Sequence, residues 1–189
     1  MGSTSAFQPA RLVVGLLSSP SAPEAFGVDD SPIATALEER FGPSDAWGPE
    51  LDFPWSAYYD EEMGGRPRRS FLSFSRLVDP AELASIKAFT NALEGRCAVD
   101  GKRRYNLDPG LLSLDRFVLA TTKNRPHRIP IASGIYAELT LIYESGDFRA
   151  LAWTYPDWAS EEYRAFLREL RERLKRELRS RALPFREEG

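Results

Sequence analysis

The sequence predicts an α+β fold: a ferredoxin-like βαββαβ start extended by an antiparallel β-meander, with helices packed on one sheet face and a long C-terminal helix. Three observations predict it. Short runs rich in β-branched and aromatic residues, such as RLVVGLL, SFLSFSRL and FVLATT, recur at strand length. Two segments between the early strands carry helix start signals and apolar residues at helical spacing. From about residue 160 to 181, Tyr163, Phe166, Leu167, Leu170, Leu174 and Leu178 fall on one helix face, with Glu and Arg on the rest.

Taken in order, residues 11–17 read as a buried strand and 18–32 as a Pro-containing loop. Ser31 then caps a helix with Pro32 in its first turn, Ile33, Leu37 and Phe41 on its apolar face, and Gly42 at its end. Residues 42–69, dense in Pro, Gly and aromatics, read as an irregular strand followed by a surface segment whose acids, Asp60 to Glu62, precede the basic run GRPRR. Those acids read as part of a surface flap, with Asp60 or Glu62 as a metal ligand in the sharper alternative. Residues 70–77 alternate as a strand. Asp79-Pro80-Ala81-Glu82 opens a second helix striped by Leu83, Ile86, Phe89 and Leu93 and closed at Gly95. KRRYNLD is a strand, PGLLSLD a turn, and 117–122 a strand. Residues 129–131 and 135–143 form a hairpin around Gly134. ESGD turns into a last strand, FRALAW, before the long helix. The order β-α-β-β-α-β followed by a meander is the split-βαβ arrangement with added antiparallel strands. At 189 residues the chain suits a single domain, residues 1–189, with an ordered core over about 10–181 and a frayed tail.

Composition narrows the function classes. No apolar run approaches the roughly 18 residues of a membrane span, and the N-terminus has neither a secretory signal nor the myristoylation pattern. The single cysteine, Cys97, builds neither an internal disulfide nor a Cys-based zinc site. These features point to a cytoplasmic protein. The net charge of −3 hides a strong asymmetry: residues 1–62 hold 2 basic and 11 acidic side chains, whereas residues 63–128 hold 13 basic and 6 acidic. An anionic partner is therefore sought in the middle third. P-loop, dinucleotide-binding, zinc-protease and serine-hydrolase signatures are all missing.

Four stretches carry candidate chemistry. In KNRPHR, Lys123, Arg125, His127 and Arg128 crowd onto the end of a strand, suited to phosphate oxygens, and His127 is the chain's only imidazole for proton transfer. Alternatively the run is a solvated connector. In YNLDPG, Asn106 and Asp108 share a strand face and suit a metal or a substrate hydroxyl, while Asp-Pro-Gly is also ordinary turn chemistry. In IYAELTLIY, Ile135, Ala137, Leu139, Leu141 and Tyr143 form an apolar face toward the core. Glu138 then lies opposite, as a solvated residue or a site carboxylate. In WTYPDW, Thr154 and Asp157 accompany aromatics that form either a packed turn or a stacking wall for a base.

NLDPG, the KxRxHRI run, YAELTLIY and WTYPDW together resemble an uncharacterised prokaryotic family, domain-of-unknown-function family 4416. The likeness extends from RLVVGLL to the helix after WTYPDW. It implies a compact stand-alone domain and brings no established activity. The family's occasional GTP-binding label finds no guanine-reading NKxD motif here.

The leading functional expectation is a domain that binds or acts on a phosphorylated small molecule or nucleotide. His127, Asp108 and Glu138 are its catalytic candidates, with Arg103, Arg104, Asn106, Lys123, Arg125, Arg128, Thr154 and Asp157 as ligand contacts. The cofactor is left open, with a divalent metal such as magnesium as the candidate. The alternative is a non-catalytic RNA-binding or protein-interaction adaptor module.

Overall fold

Residues 2–22, 31–54 and 57–182 are described by the structure, a computed structural model. Its first strand, β1 (Ala10–Ser18), is buried at every position. An apolar run that long on both faces needs cover on both sides. It pairs antiparallel with β4 (Arg68–Val78) and with β5 (Tyr105–Leu112). Leu12, Val14 and Leu16 point into a core built with α1 (Pro32–Phe41) and α3 (Leu83–Arg96). Val13 points the other way, into a core built with α5 (Glu161–Ala182).

Further strands are β2 (Ser44–Trp47), β3 (Leu51–Asp52), β6 (Arg116–Thr121), β7 (Arg128–Ala132), β8 (Ile135–Glu144) and β9 (Asp147–Ala150). The nine-stranded sheet runs β2-β4-β1-β5-β6-β8-β7, with β3 also on β4 and β9 also on β8. Its β2-β4-β1-β5 half, with α1 and α3 on one face, is the expected βαββαβ start, and β6 to β9 supply the antiparallel meander. The one-face expectation holds for α1 and α3. The long C-terminal helix takes the opposite face, seating Tyr163, Phe166, Leu167 and Leu170 against Phe71, Phe117 and Trp158. Each such buried side chain contributes roughly 1.5–3 kcal/mol.

Local signals explain the boundaries. Ser31 accepts from the Ala34 N–H, and Gly42, at φ +88°, ends α1. Asp79 accepts from the Ala81 N–H and starts a 3₁₀ turn, Pro80–Glu82, that leads into α3. The 42–69 segment holds two short strands and a helix, α2 (Ala57–Glu62), where an irregular strand and a flap were expected. FRALAW leaves its strand at Ala150, before Trp153. The tail beyond 182 lies outside the described residues.

Two corrections bear on function. Asp108-Pro109-Gly110 is not a turn: β5 runs straight through it, with Gly15 opposite Asp108 and Val14 opposite Pro109. Gly110 is required by packing, since a Cβ there would lie 2.4 Å from the Phe117 ring. In β8 the strict alternation breaks. Phe117 and Val118 of β6 pair with Leu141 and Leu139, so Thr140 is an extra residue, a bulge. It splits the expected apolar face: Ile135 and Ala137 join the α3 core, while Leu141 joins the α5 core. Glu138, 1% exposed, is therefore buried and not a solvated strand residue.

Candidate functional site

The site originates in a split of the sheet. β5 and β6 pair only through Gly110–Leu119, Leu111–Val118 and Leu112–Phe117. Beyond that, residues 105–109 of β5 keep β1 as their ladder partner, and residues 120 and 121 of β6 keep β8. Pro109, with no N–H to donate, stands where the split opens. On the β6 side the backbone of Leu107 has no strand partner, and α3 takes that place. Glu94 Oε1 accepts from the Leu107 N–H at 2.9 Å, and Lys87 Nζ donates to the Leu107 carbonyl at 2.7 Å. Two side chains of one helix thus satisfy a broken ladder.

The gap forms a cleft of about 390 Å³, lined from both sheet faces by α3, β4, β5, β6, β7, β8 and α4 (Pro156–Ala159). Arg69 of β4, 1% exposed, forms part of its floor. Its Nη1 donates to Asp108 Oδ2 at 2.9 Å, and its Nε lies 3.0 Å from Asp157 Oδ2 of α4, outside hydrogen-bond geometry. The guanidinium passes over the Phe71 and Trp158 rings at 5.0 and 5.2 Å. Gly15 makes this possible: a Cβ there would sit 2.7 Å from Arg69 Nη2 and 2.9 Å from Trp158. Asn106 Nδ2 also donates to Asp108 Oδ2, at 3.0 Å. Both contacts use the same oxygen, and among the described residues Asp108 Oδ1 has no donor.

Electrostatics separate the three carboxyls. Burial pushes Glu94 above the usual carboxylate range, by more than the Lys87 charge and the Leu107 N–H bring it down. Burial likewise raises Asp157, against the pull of Arg69. Asp108 is also raised by burial, but Arg69, Lys87 and the Asn106 amide outweigh that and hold it low. Arg103 closes one end of the cleft, donating to Glu62 Oε1 of α2 at 2.7 Å, to Glu94 Oε2 at 3.1 Å and to Asn106 Oδ1 at 3.1 Å.

At the other end, Arg128 Nε donates to Glu138 Oε2 at 2.6 Å, and its Nη1 donates to the Lys123 carbonyl at 2.9 Å. Its Nη2 reaches Tyr155 Oη at 3.4 Å. His127 lies behind this pair. Its Nε2 is 3.1 Å from Glu138 Oε2, and its ring stacks on Trp153 at 5.0 Å and 9°.

The structure therefore brings together Asn106, Asp108, Lys123, Arg128, Glu138 and Asp157 on one cleft, with Arg103 at its end. His127 meets it only through Glu138. Three expected contacts lie elsewhere. Arg125 is exposed in the connection between β6 and β7, and Arg104 is half-buried, its own carbonyl accepting from the Ser19 N–H. Thr154 holds a turn by donating to the Thr140 carbonyl and accepting from the Leu151 N–H. Sequence reasoning missed Arg69, Lys87, Asn91, Glu94 and Tyr155, all of which line the cleft. A signal existed for two of them: Lys87 and Glu94 stand at core spacing with Leu83, Ile86, Thr90 and Leu93 on α3, where charges need partners. Among the described residues, no three His, Cys, Asp or Glu side chains are grouped to hold a metal ion. Among the described residues, too, no helix is long and apolar enough to cross a membrane.

Fold and site together define an α+β protein whose extended ferredoxin-like sheet splits around a small ion-paired cleft. No curated protein and no solved structure matches the chain. The family model described as Domain of unknown function (DUF4416) matches residues 8–174, and the chain belongs to that family. The match takes in every element that lines the cleft.

Proposed function

We propose that the cleft binds a small phosphorylated molecule, a sugar phosphate or a nucleotide. The observation that supports this reading is the convergence of five cations, Arg69, Lys87, Arg103, Lys123 and Arg128, on one cleft. Arg69 and Lys87 are held inside by carboxylates and a carbonyl. Arg103, 33% exposed, and the exposed Lys123 stand at opposite ends, where ligand oxygens can reach them. Fixed guanidinium and ammonium groups of this kind suit phosphate. A volume of about 390 Å³ suits one small molecule.

The test is thermal unfolding of the purified protein with inorganic phosphate, ribose 5-phosphate, AMP or GTP, each with and without magnesium. At a hundredfold excess over Kd, a phosphorylated compound raises Tm by about 5–10 °C, and Lys123→Ala weakens that response. If no phosphorylated compound shifts Tm, the proposal fails. The RNA-binding or adaptor reading draws less support, because Phe71, Phe74 and Phe117 of the sheet lie inside the two cores and offer no stacking face. Binding of single-stranded RNA in a salt-dependent gel shift, without any small-molecule response, would favour it.

A further inference from the structure

The two walls of the cleft differ in the chemistry they leave open. The β6–β7 wall presents Lys123 and Arg128, and among the described residues one carboxylate, Glu138, stands beside them. The opposite wall, from α3, β5 and α4, presents the carboxyls of Glu94, Asp108 and Asp157, facing Arg69, Lys87 and Arg103. Most hydrogen-bonding capacity on that wall is spent within the protein. Glu94 uses one oxygen on the Leu107 N–H and the other on Arg103. Two groups are not spent. Among the described residues Asp108 Oδ1 has no donor although the side chain is 30% exposed, and the half-buried Asn91 amide has no hydrogen bond.

An ionised carboxylate oxygen accepts only, and an amide both donates and accepts. The natural complement of that pair is a set of hydroxyl groups. On this wall each carboxyl is matched by a cation, whereas beside Lys123 and Arg128 Glu138 is the one carboxylate among the described residues, so a phosphate is drawn to that side. We infer that the ligand is a sugar phosphate, its phosphate against Lys123 and Arg128 and its hydroxyls on Asp108 Oδ1 and the Asn91 amide. This inference rests on the phosphorylated-ligand reading above and adds orientation and substrate class. The cleft lies near the lower end of the volumes typical of small-molecule sites, about 300–1,000 Å³, which suits a monosaccharide phosphate better than a dinucleotide.

Calorimetric titration of the full chain with inorganic phosphate, ribose, ribose 5-phosphate and glucose 6-phosphate tests it. At least one sugar phosphate is expected to bind about tenfold or more tightly than inorganic phosphate, which corresponds to one or two hydroxyl hydrogen bonds. Asn91→Ala, which removes no hydrogen bond of the protein itself, lowers that affinity about five- to tenfold and leaves inorganic phosphate unchanged. Asp108→Asn acts in the same direction, but it also weakens the hold on Arg69, so Asn91→Ala decides where that variant folds poorly. Lys123→Ala weakens phosphate and sugar phosphate alike. Equal affinity for phosphate and both sugar phosphates overturns the inference while the phosphate reading stands. A sugar-phosphate advantage untouched by Asn91→Ala overturns the placement of the hydroxyls. No binding of any phosphorylated compound overturns both.

Discussion

Two arginines lie at opposite ends of the central strands, and both are sealed from solvent. Arg11, on β1, is 0% exposed and pairs with Asp45 of β2 and Glu177 of α5. It also donates to the Phe74 carbonyl at 3.0 Å. Arg69, on β4, is 1% exposed and pairs with Asp108 and Asp157. Their partners differ. Asp45 and Glu177 keep 22% and 35% of their side chains in water, so either can be resolvated if the arginine is lost. Asp108, at 30%, can do the same, but Asp157 keeps only 5% and has no such escape. Arg11 ties the far end of the last helix to the sheet edge. Arg69 holds two acids in place on the wall of the cleft. Equal burial therefore serves two ends, and the difference lies in where the counter-charges can go.

The largest effect expected from this contrast is at Arg69. Arg69→Met leaves the buried Asp157 without its cation and with no water to turn to, and the loss is about 3–5 kcal/mol, as for other broken buried pairs. Arg11→Met removes a guanidinium whose carboxylate partners can turn to water, and the expected loss is about 1–2 kcal/mol. Urea denaturation of both variants at pH 7 reads the two numbers directly. Equal losses would show that solvent access of the partners does not set the cost, and the contrast would collapse.

How much of this was legible in the chain follows from the same physics. β1, α1, α3 and α5 were legible because apolar spacing and cap residues are local signals. The hairpin around Gly134 was legible for the same reason. The path of Asp108-Pro109-Gly110 was not. Its residues carry turn propensity, and the pairing of β5 with β1, together with Phe117 packed on Gly110, overrides it. Glu138 was placed on the correct side of a wrong alternation, because a bulge leaves no mark in a periodic pattern. The cleft residues found from sequence, Asn106, Asp108, Lys123 and Arg128, sit in two conspicuous polar stretches. Arg69 hid in the run GRPRR, and its role depends on Gly15 and Asp157, which are 54 and 88 residues away. Lys87 and Glu94 were visible as charges on an apolar stripe, but the reason for them, a Leu107 backbone with no strand on its β6 side, exists only once the sheet has split.

That last pair yields the smallest effect, readable as a slope. Glu94→Gln keeps an oxygen for the Leu107 N–H, so the broken ladder stays satisfied, while its amide nitrogen faces the Arg103 Nη1 donor at a cost that does not change with pH. What the substitution removes from the pH dependence is the Glu94 titration. The folded pKa of Glu94 lies above its unfolded value, because burial outweighs the Lys87 charge and the Leu107 N–H. The folded protein therefore binds the proton more tightly than the unfolded chain. This group costs nothing below the unfolded pKa of about 4.3, and its cost grows as pH rises through the folded pKa. Arg103 and Asp108 face Glu94 from the β5 side, and Lys87 faces it from its own helix. All three remain in the variant, so subtracting its stability curve from that of the wild type isolates Glu94. The difference, wild type minus Glu94→Gln, should fall with pH above about 4.3 and then level off. A difference that rises over that interval would mean that Arg103 and Lys87 govern the carboxyl more than burial does. In that case Glu94 would belong with the tethered acids around Arg11 and not with the desolvated acids of the cleft.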